Sequence, residues 1–121
     1  MNEHDRKVLC KILTHAEHIL RYTEALTTQD DFESDEKTVE ACVFNMMQIG
    51  ELSHSELSDA CKSMASSIPW NQIYGMRNRI VHGYGEVRLD IVWETIERGI
   101  PDLKTEIEQI LRHDVEVKIK E

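Results

Sequence analysis

Four chemically capable side chains, Arg77, Asn78, His82 and Tyr84, fall within the segment RNRIVHGY (77–84). A guanidinium presents a planar fork that binds a phosphate and stabilises charge developing on it. A neutral histidine can accept a proton from a ribose 2′-OH or donate one to a leaving 5′-oxygen. Asn78 can orient the histidine or bond a phosphate, and Tyr84 offers a hydroxyl and a ring on which a base stacks. Together these groups suit metal-free RNA cleavage by attack of the 2′-OH on the adjacent phosphorus. No carboxylate-rich cluster of the kind that holds Mg²⁺ flanks them, Glu86 and Asp90 being the nearby acids. A plainer use of the same residues is to cap a helix C-terminus, where Arg, Asn and His satisfy orphan carbonyls and complement the dipole. The residues alone leave both uses open.

Positioning falls to a helix. SSIPW (66–70) marks its start, because proline is tolerated in a first helical turn and not later. The helix is expected over Pro69 to about His82, with Gly83 and Gly85 releasing the chain. On it Tyr74, Asn78 and His82 share a face, whereas Arg77 stands about 140° from His82. Arg77 also lies among Ile73, Ile80 and Val81, where a charged head is costly unless it reaches solvent or a partner. Arg77 and His82 therefore converge only if the helix ends or distorts near His82, or if a second chain closes the site.

Around this element the apolar residues recur at three and four. Val8 or Leu9, Ile12, Ala16, Ile19, Thr23 and Leu26 form one stripe over about Glu3 to Leu26. TTQDDFESD (27–35) reads as a loop ending in an N-cap at Ser34 or Asp35. Val39, Cys42, Val43, Met46, Ile49 and Ser53 line a second helix, and Leu57, Ala60, Cys61 and Met64 a short third. The last helix carries Leu89, Val92 or Trp93, Ile96, Ile100, Leu103, Ile107 and Ile110 in a heptad-like seam, which fits either the core or a partner helix. Its phase survives Pro101, so a kinked continuous helix is expected. Strand-like alternation is confined to VEVKIK (115–120). The expected fold is all-α: a single domain over 1–121, built as an antiparallel up-and-down bundle of four to five helices.

Composition narrows the partners. Hydrophobic residues make up 40% and charged residues 31%, the balance of a globular chain rather than a disordered one. No apolar run is long enough to span a bilayer, and MNEHDRKVLC lacks the long apolar segment of a signal peptide, so a cytoplasmic protein without a membrane partner is expected. Cys10, Cys42 and Cys61 are odd in number and lack C-x-x-C spacing, as suits thiols in a reducing compartment. The net charge of −9 argues against a general nucleic-acid binder. It is uneven, however: residues 1–69 carry −7, residues 70–90 carry +1 and residues 91–121 carry −3. The motif thus sits in the one neutral-to-basic window of an acidic chain. Elsewhere, Arg79 and Arg88 read as surface charge, His15 and His18 as partly exposed histidines rather than half a metal site, and Met46 and Met47 as core filling. QDDFESDE (29–36) reads as a solvated segment, and His54 and His113 have no identifiable spacing.

The motif R-x4-H-x-Y, here Arg77, His82 and Tyr84, resembles that of HEPN-domain proteins of the HepT type. IGEL (49–52), IPWNQIYGMRNRIVHGYG (68–85) and LDIVW (89–93) are similar to that family in order and spacing. The resemblance implies an all-α chain that forms a homodimer or higher oligomer and juxtaposes two motif copies in a composite cleft. It implies a metal-independent ribonuclease toxin that needs no cofactor of its own, with Arg77 and His82 catalytic and Asn78, Arg79 and Tyr84 supporting RNA binding. It further implies a cognate minimal nucleotidyltransferase antitoxin that uses ATP to place AMP on the motif tyrosine, Tyr84. The alternative is a catalytically silent or nucleotide-binding module that docks such a nucleotidyltransferase.

Overall fold

The computed structural model describes residues 1–120, apart from the side chain of Tyr84. In chain order they form α1 (Glu3–Thr23), α2 (Gln29–Glu33), α3 (Glu36–Ser55), α4 (Asp59–Met64) and α5 (Trp70–His82). A single 3₁₀ turn, Tyr84–Glu86, leads to α6 (Leu89–Glu94), a π-helical turn (Thr95–Gly99) and α7 (Ile100–Lys120). No strand occurs among the described residues, and VEVKIK, the one strand-like stretch, continues α7. The alternation there was incidental: Val115, Val117 and Ile119 are exposed, with no sheet for them to join.

Cross-helix pairs fix the direction of each helix. Asp5 near the start of α1 meets Ser58 just beyond α3, and His15 in mid-α1 meets Asn45 in mid-α3. Along α3 and α5, Glu51 pairs with Arg77 while His54 lies on Tyr74. Between α1 and α7, Arg6 pairs with Asp114 and Glu17 with Lys104. In each case one number rises as the other falls, so the neighbours are antiparallel. The long helices thus run up, down, up and down in the spatial order α5, α3, α1, α7.

The stripes expected from periodicity are the ones that meet. Leu9, Ile12, Ala16 and Ile19 of α1, Cys42 and Ile49 of α3, and Val92, Ile96, Ile100, Leu103 and Ile107 of the last helices are all buried in one cluster. The heptad-like seam is therefore core of this chain. The boundaries follow from caps: Asn2 accepts the Asp5 N–H at 2.7 Å, Asp35 the Thr38 N–H at 3.2 Å and Ser58 the Cys61 N–H at 3.1 Å. Of the third-helix residues, Leu57 and Cys61 are buried while Ala60 and Met64 are exposed.

Two local features depart from a simple reading. The expected 27–35 loop contains α2, because Thr28 accepts the Asp31 N–H at 3.1 Å and Asp30 and Asp31 complement the dipole of its first turn. Phe32 of α2 is fully buried and stacks on Trp93 with centroids 5.4 Å apart. At Pro101 the helical path continues through a π turn in which the Ile100 N–H reaches back to the Thr95 carbonyl. The ring-bearing residue cannot donate to the carbonyl four before it, and the wider turn absorbs that missing bond. Among the described residues no helix is long and apolar enough to cross a membrane.

Candidate active site

The IPW segment builds the start of α5. Ile68 is buried, Pro69 stands at the N-cap with φ −79°, and the Trp70 indole N–H donates to the carbonyls of Lys62 and Ala65 at 3.2 and 3.1 Å. These bonds tie α5 to the end of α4, so the helix axis is fixed from its first residue. At its other end α5 stops after His82, where the Gly83 N–H bonds the Arg79 carbonyl at 3.2 Å. Gly83 has φ 174°, extended backbone open to any residue, so left-handed freedom is not what ends the helix. No glycine among the described residues has positive φ.

Arg77 faces α3 where Gly50 lets the two helices approach closely. A Cβ built on Gly50 would overlap the Arg77 Cβ and stand 3.0 Å from its Cγ and 3.2 Å from the Ile73 carbonyl oxygen. The missing side chain of Gly50 is therefore the space into which the Arg77 stem packs. The next residue, Glu51, receives the head: Arg77 Nε and Nη2 both donate to Glu51 Oε2, at 2.9 and 2.8 Å. Nη1 donates to Asn78 Oδ1 at 3.0 Å, and the guanidinium carbon sits 5.9 Å from the Tyr74 ring centroid. The arginine in an apolar stripe is thus resolved by a partner on the neighbouring helix.

Glu51 is itself held. Ser55 donates its hydroxyl to Glu51 Oε1 at 2.9 Å, and this bond first and Arg77 second keep the carboxyl below the usual glutamate range. His54 lies flat on Tyr74, with centroids 3.8 Å apart and an interplanar angle of 14°. The last two turns of α3 therefore contribute Gly50, Glu51, His54 and Ser55 to the surroundings of the motif. Sequence reasoning assigned none of them a role, although IGEL carried part of the resemblance. The available signal was an acidic residue beside a glycine on an apolar helix, adjacent to a helix bearing a lone internal arginine.

The other motif residues are placed as follows. His82 is exposed at the end of α5, and among the described residues no hydrogen bond joins it to Arg77. Because α5 remains helical through His82, the two keep their angular offset of about 140°, with an axial rise of about 7.5 Å. The helix end thus does not bring them together within one chain. The side chain of Tyr84 lies outside the described residues. Arg79 is exposed on α5 and lines a groove of about 860 Å³ between α5 and the α6–α7 helices, with Ile73, Met76 and Ile91. Arg88 pairs with Asp90 at 2.6 Å on the surface. Arg77 does not cap a carbonyl, since its bonds go to side chains.

Elsewhere, His15 bonds Asn45 at 2.8 Å and stands edge-on to His18. Among the described residues no group of three or more His, Cys, Asp or Glu could hold a metal ion. Burial pushes the Cys42 thiol up to about 12, which keeps it protonated and inert.

An all-α bundle of four long helices that mounts an R-x4-H pair on its third long helix defines the class: a HEPN-type domain. The match to known proteins is specific. The Ribonuclease HepT-like family profile covers residues 12–110, and the chain belongs to that family. A candidate RNase of Caldanaerobacter subterraneus subsp. tengcongensis is 33% identical over 106 residues, 83% of this chain and 94% of that protein. The "Probable ribonuclease HepT" of Thermococcus cleftensis is 33% identical over 81 residues, 67% of this chain and 73% of that protein. A candidate RNase of Methanocaldococcus jannaschii is 28% identical over 111 residues, 92% and 89% of the two chains. No solved structure matches the chain.

Proposed function

We propose that this HepT-like protein is a metal-independent endoribonuclease toxin whose working site is completed by a second copy of the chain. The observation that carries the reading is Arg77, a guanidinium packed stem-first against Gly50 yet 25% exposed, on the same helix as an exposed His82. Arg77 would hold the scissile phosphate and stabilise the charge that grows on it. His82 would take the 2′-OH proton as that oxygen attacks phosphorus; the bond to the 5′-oxygen breaks and that oxygen takes a proton from water, giving a 2′,3′-cyclic phosphate and a 5′-hydroxyl, while the imidazolium returns its proton to solvent. Asn78 would bond the phosphate, with Tyr84 and Arg79 along the RNA path. One chain holds Arg77 and His82 on different faces, so a second motif copy supplies the missing convergence. The mostly apolar groove beside α5 offers a surface on which that copy can pack.

The same reading includes silencing by a minimal nucleotidyltransferase that transfers AMP from ATP to Tyr84. An AMP there would add bulk and negative charge to the one window of the chain that is not acidic. A second reading, a silent module that docks the nucleotidyltransferase, is favoured by the net charge of −9, against which RNA must approach.

RNA incubated with the purified protein in EDTA should acquire 2′,3′-cyclic phosphate ends, and His82→Ala should cut the rate by about 10²–10⁴-fold. Equal rates for the two proteins would sink the catalytic assignment and leave the docking reading. With a minimal nucleotidyltransferase and ATP, mass spectrometry should find AMP on Tyr84 and none in Tyr84→Phe; AMP mapped to Tyr22 or Tyr74 would overturn that part.

A further inference from the structure

We propose that Glu51 is a positioning residue for RNA cleavage: it takes the side edge of the Arg77 guanidinium and so turns its remaining N–H groups toward the substrate phosphate. The inference rests on the ribonuclease reading of Arg77.

The donor inventory decides between two roles for this carboxylate. A guanidinium has five N–H groups. Glu51 Oε2 takes one on Nε and one on Nη2, and Asn78 takes one on Nη1. One N–H remains on each terminal nitrogen. A carboxylate occupying the entire fork would be a latch that phosphate must displace. Here the carboxylate grips only the edge nearest α3, and the end of the fork stays free for a phosphate oxygen pair. The plane of the guanidinium is set by Glu51 on one side and Asn78 on the other, so little rotamer freedom is left to lose on binding.

The support behind Glu51 has the same character. Its second oxygen is held by Ser55 one turn later, its Cα follows the glycine that admits the Arg77 stem, and His54 on the same turn clamps Tyr74 beneath the guanidinium. The last two turns of α3 thus fix the stem, the edge and the underside of Arg77 while adding nothing to its exposed end. An ion pair open to solvent on both partners, Arg77 at 25% and Glu51 at 45% exposure, would by itself add little to stability, so the arrangement is better explained by orientation than by folding.

The test is a double-mutant cycle with Glu51→Ala, Arg77→Ala and the pair, plus Glu51→Gln. Each is measured by single-turnover cleavage and by binding of a non-cleavable 2′-O-methyl oligoribonucleotide. Glu51→Ala should slow cleavage by roughly 10–100-fold when Arg77 is present, as expected for an approximately 1 Å loss of placement. In the Arg77→Ala background the same change should alter the rate by less than about twofold. Glu51→Gln keeps an oxygen for Arg77 and an amide that Ser55 can accept, so it should stay within about threefold of wild type. Should Glu51→Ala fail to fold, Ser55→Ala frees the carboxylate from an exposed turn and enters the same cycle. Independent losses in the double variant would overturn the inference, as would a Glu51→Ala or Glu51→Gln protein faster or tighter-binding than wild type, the mark of a latch. A wild type that binds the oligonucleotide without cutting RNA fails the nuclease reading alone, and the binding cycle still judges Glu51. A wild type that does neither overturns both.

Discussion

Gly50→Ala isolates the close approach of α3 and α5. The new methyl would overlap the Arg77 Cβ and lie 3.0 Å from Cγ and 3.2 Å from the Ile73 carbonyl oxygen. Two of these obstacles are backbone or next to it, so no flexible side-chain end can move aside. Restoring ordinary carbon–carbon separations of about 3.5–4 Å requires a shift of about 1 Å between the helices or along the Arg77 stem. Alanine in place of glycine gains about 1 kcal/mol of helix propensity, while overpacking a tight interface costs about 1–3 kcal/mol. The net is a loss of about 1 kcal/mol, or about 3–6 °C in Tm for a domain of this size. Gly75→Ala is the matched control: nothing lies within 4 Å of its added Cβ, so it keeps the propensity gain and should melt higher by a similar amount. Calorimetry would read both, and single-turnover RNA cleavage would read the site. Displacing Arg77 by 1 Å should slow Gly50→Ala by about 10²-fold. If Gly50→Ala melts as high as Gly75→Ala and cleaves at the wild-type rate, the argument that Gly50 makes room for Arg77 is refuted.

Two further predictions concern the frame. Burial opposes ionisation of Asp5, yet the Ser58 N–H and hydroxyl, at 2.9 and 2.7 Å, together with His4 and the N-terminus, bring its carboxyl below the ordinary aspartate value of 3.8. Its stabilising contribution is therefore present above about pH 4 and lost as pH falls through the lower folded value. Asp5→Ala should cost about 2 kcal/mol at pH 7 and flatten the acid limb of a Tm-against-pH curve; an unchanged limb would discount this bond. Phe32→Ala should cost about 3–5 kcal/mol in urea unfolding followed by tryptophan fluorescence, because the ring is fully buried on Trp93; a loss under 1 kcal/mol would mean that α2 does not close the core.

Much of the frame was legible because burial in a bundle depends on one-dimensional periodicity. Ile12, Ile19, Ile49, Ile100 and Ile107 stand where a spacing of three and four places them, and all are buried. Asp35 could be read as a cap from its type and place. Phe32 was missed because an isolated aromatic among five acids resembles solvated sequence; only its packing on Trp93 makes it core. The VEVKIK alternation misled in the opposite sense, since a two-residue period specifies a strand only where another strand is available.

For the site, the sequence by itself determined the chemistry on offer: an arginine and a histidine five positions apart on one helix, in the one window free of net negative charge. It also determined that the two cannot face the same way on a regular helix, since that angle follows from helical geometry alone. Only the tertiary structure decided what holds Arg77. Gly50 and Glu51 lie more than twenty residues away along the chain, and no periodicity within α5 points to them. Their roles exist because antiparallel packing brings the last turns of α3 against the middle of α5. There a missing Cβ admits the arginine's stem, and a carboxylate held by Ser55 sets its head. Local spacing fixes directions around a single helix; the register between two helices is a property of the packed core.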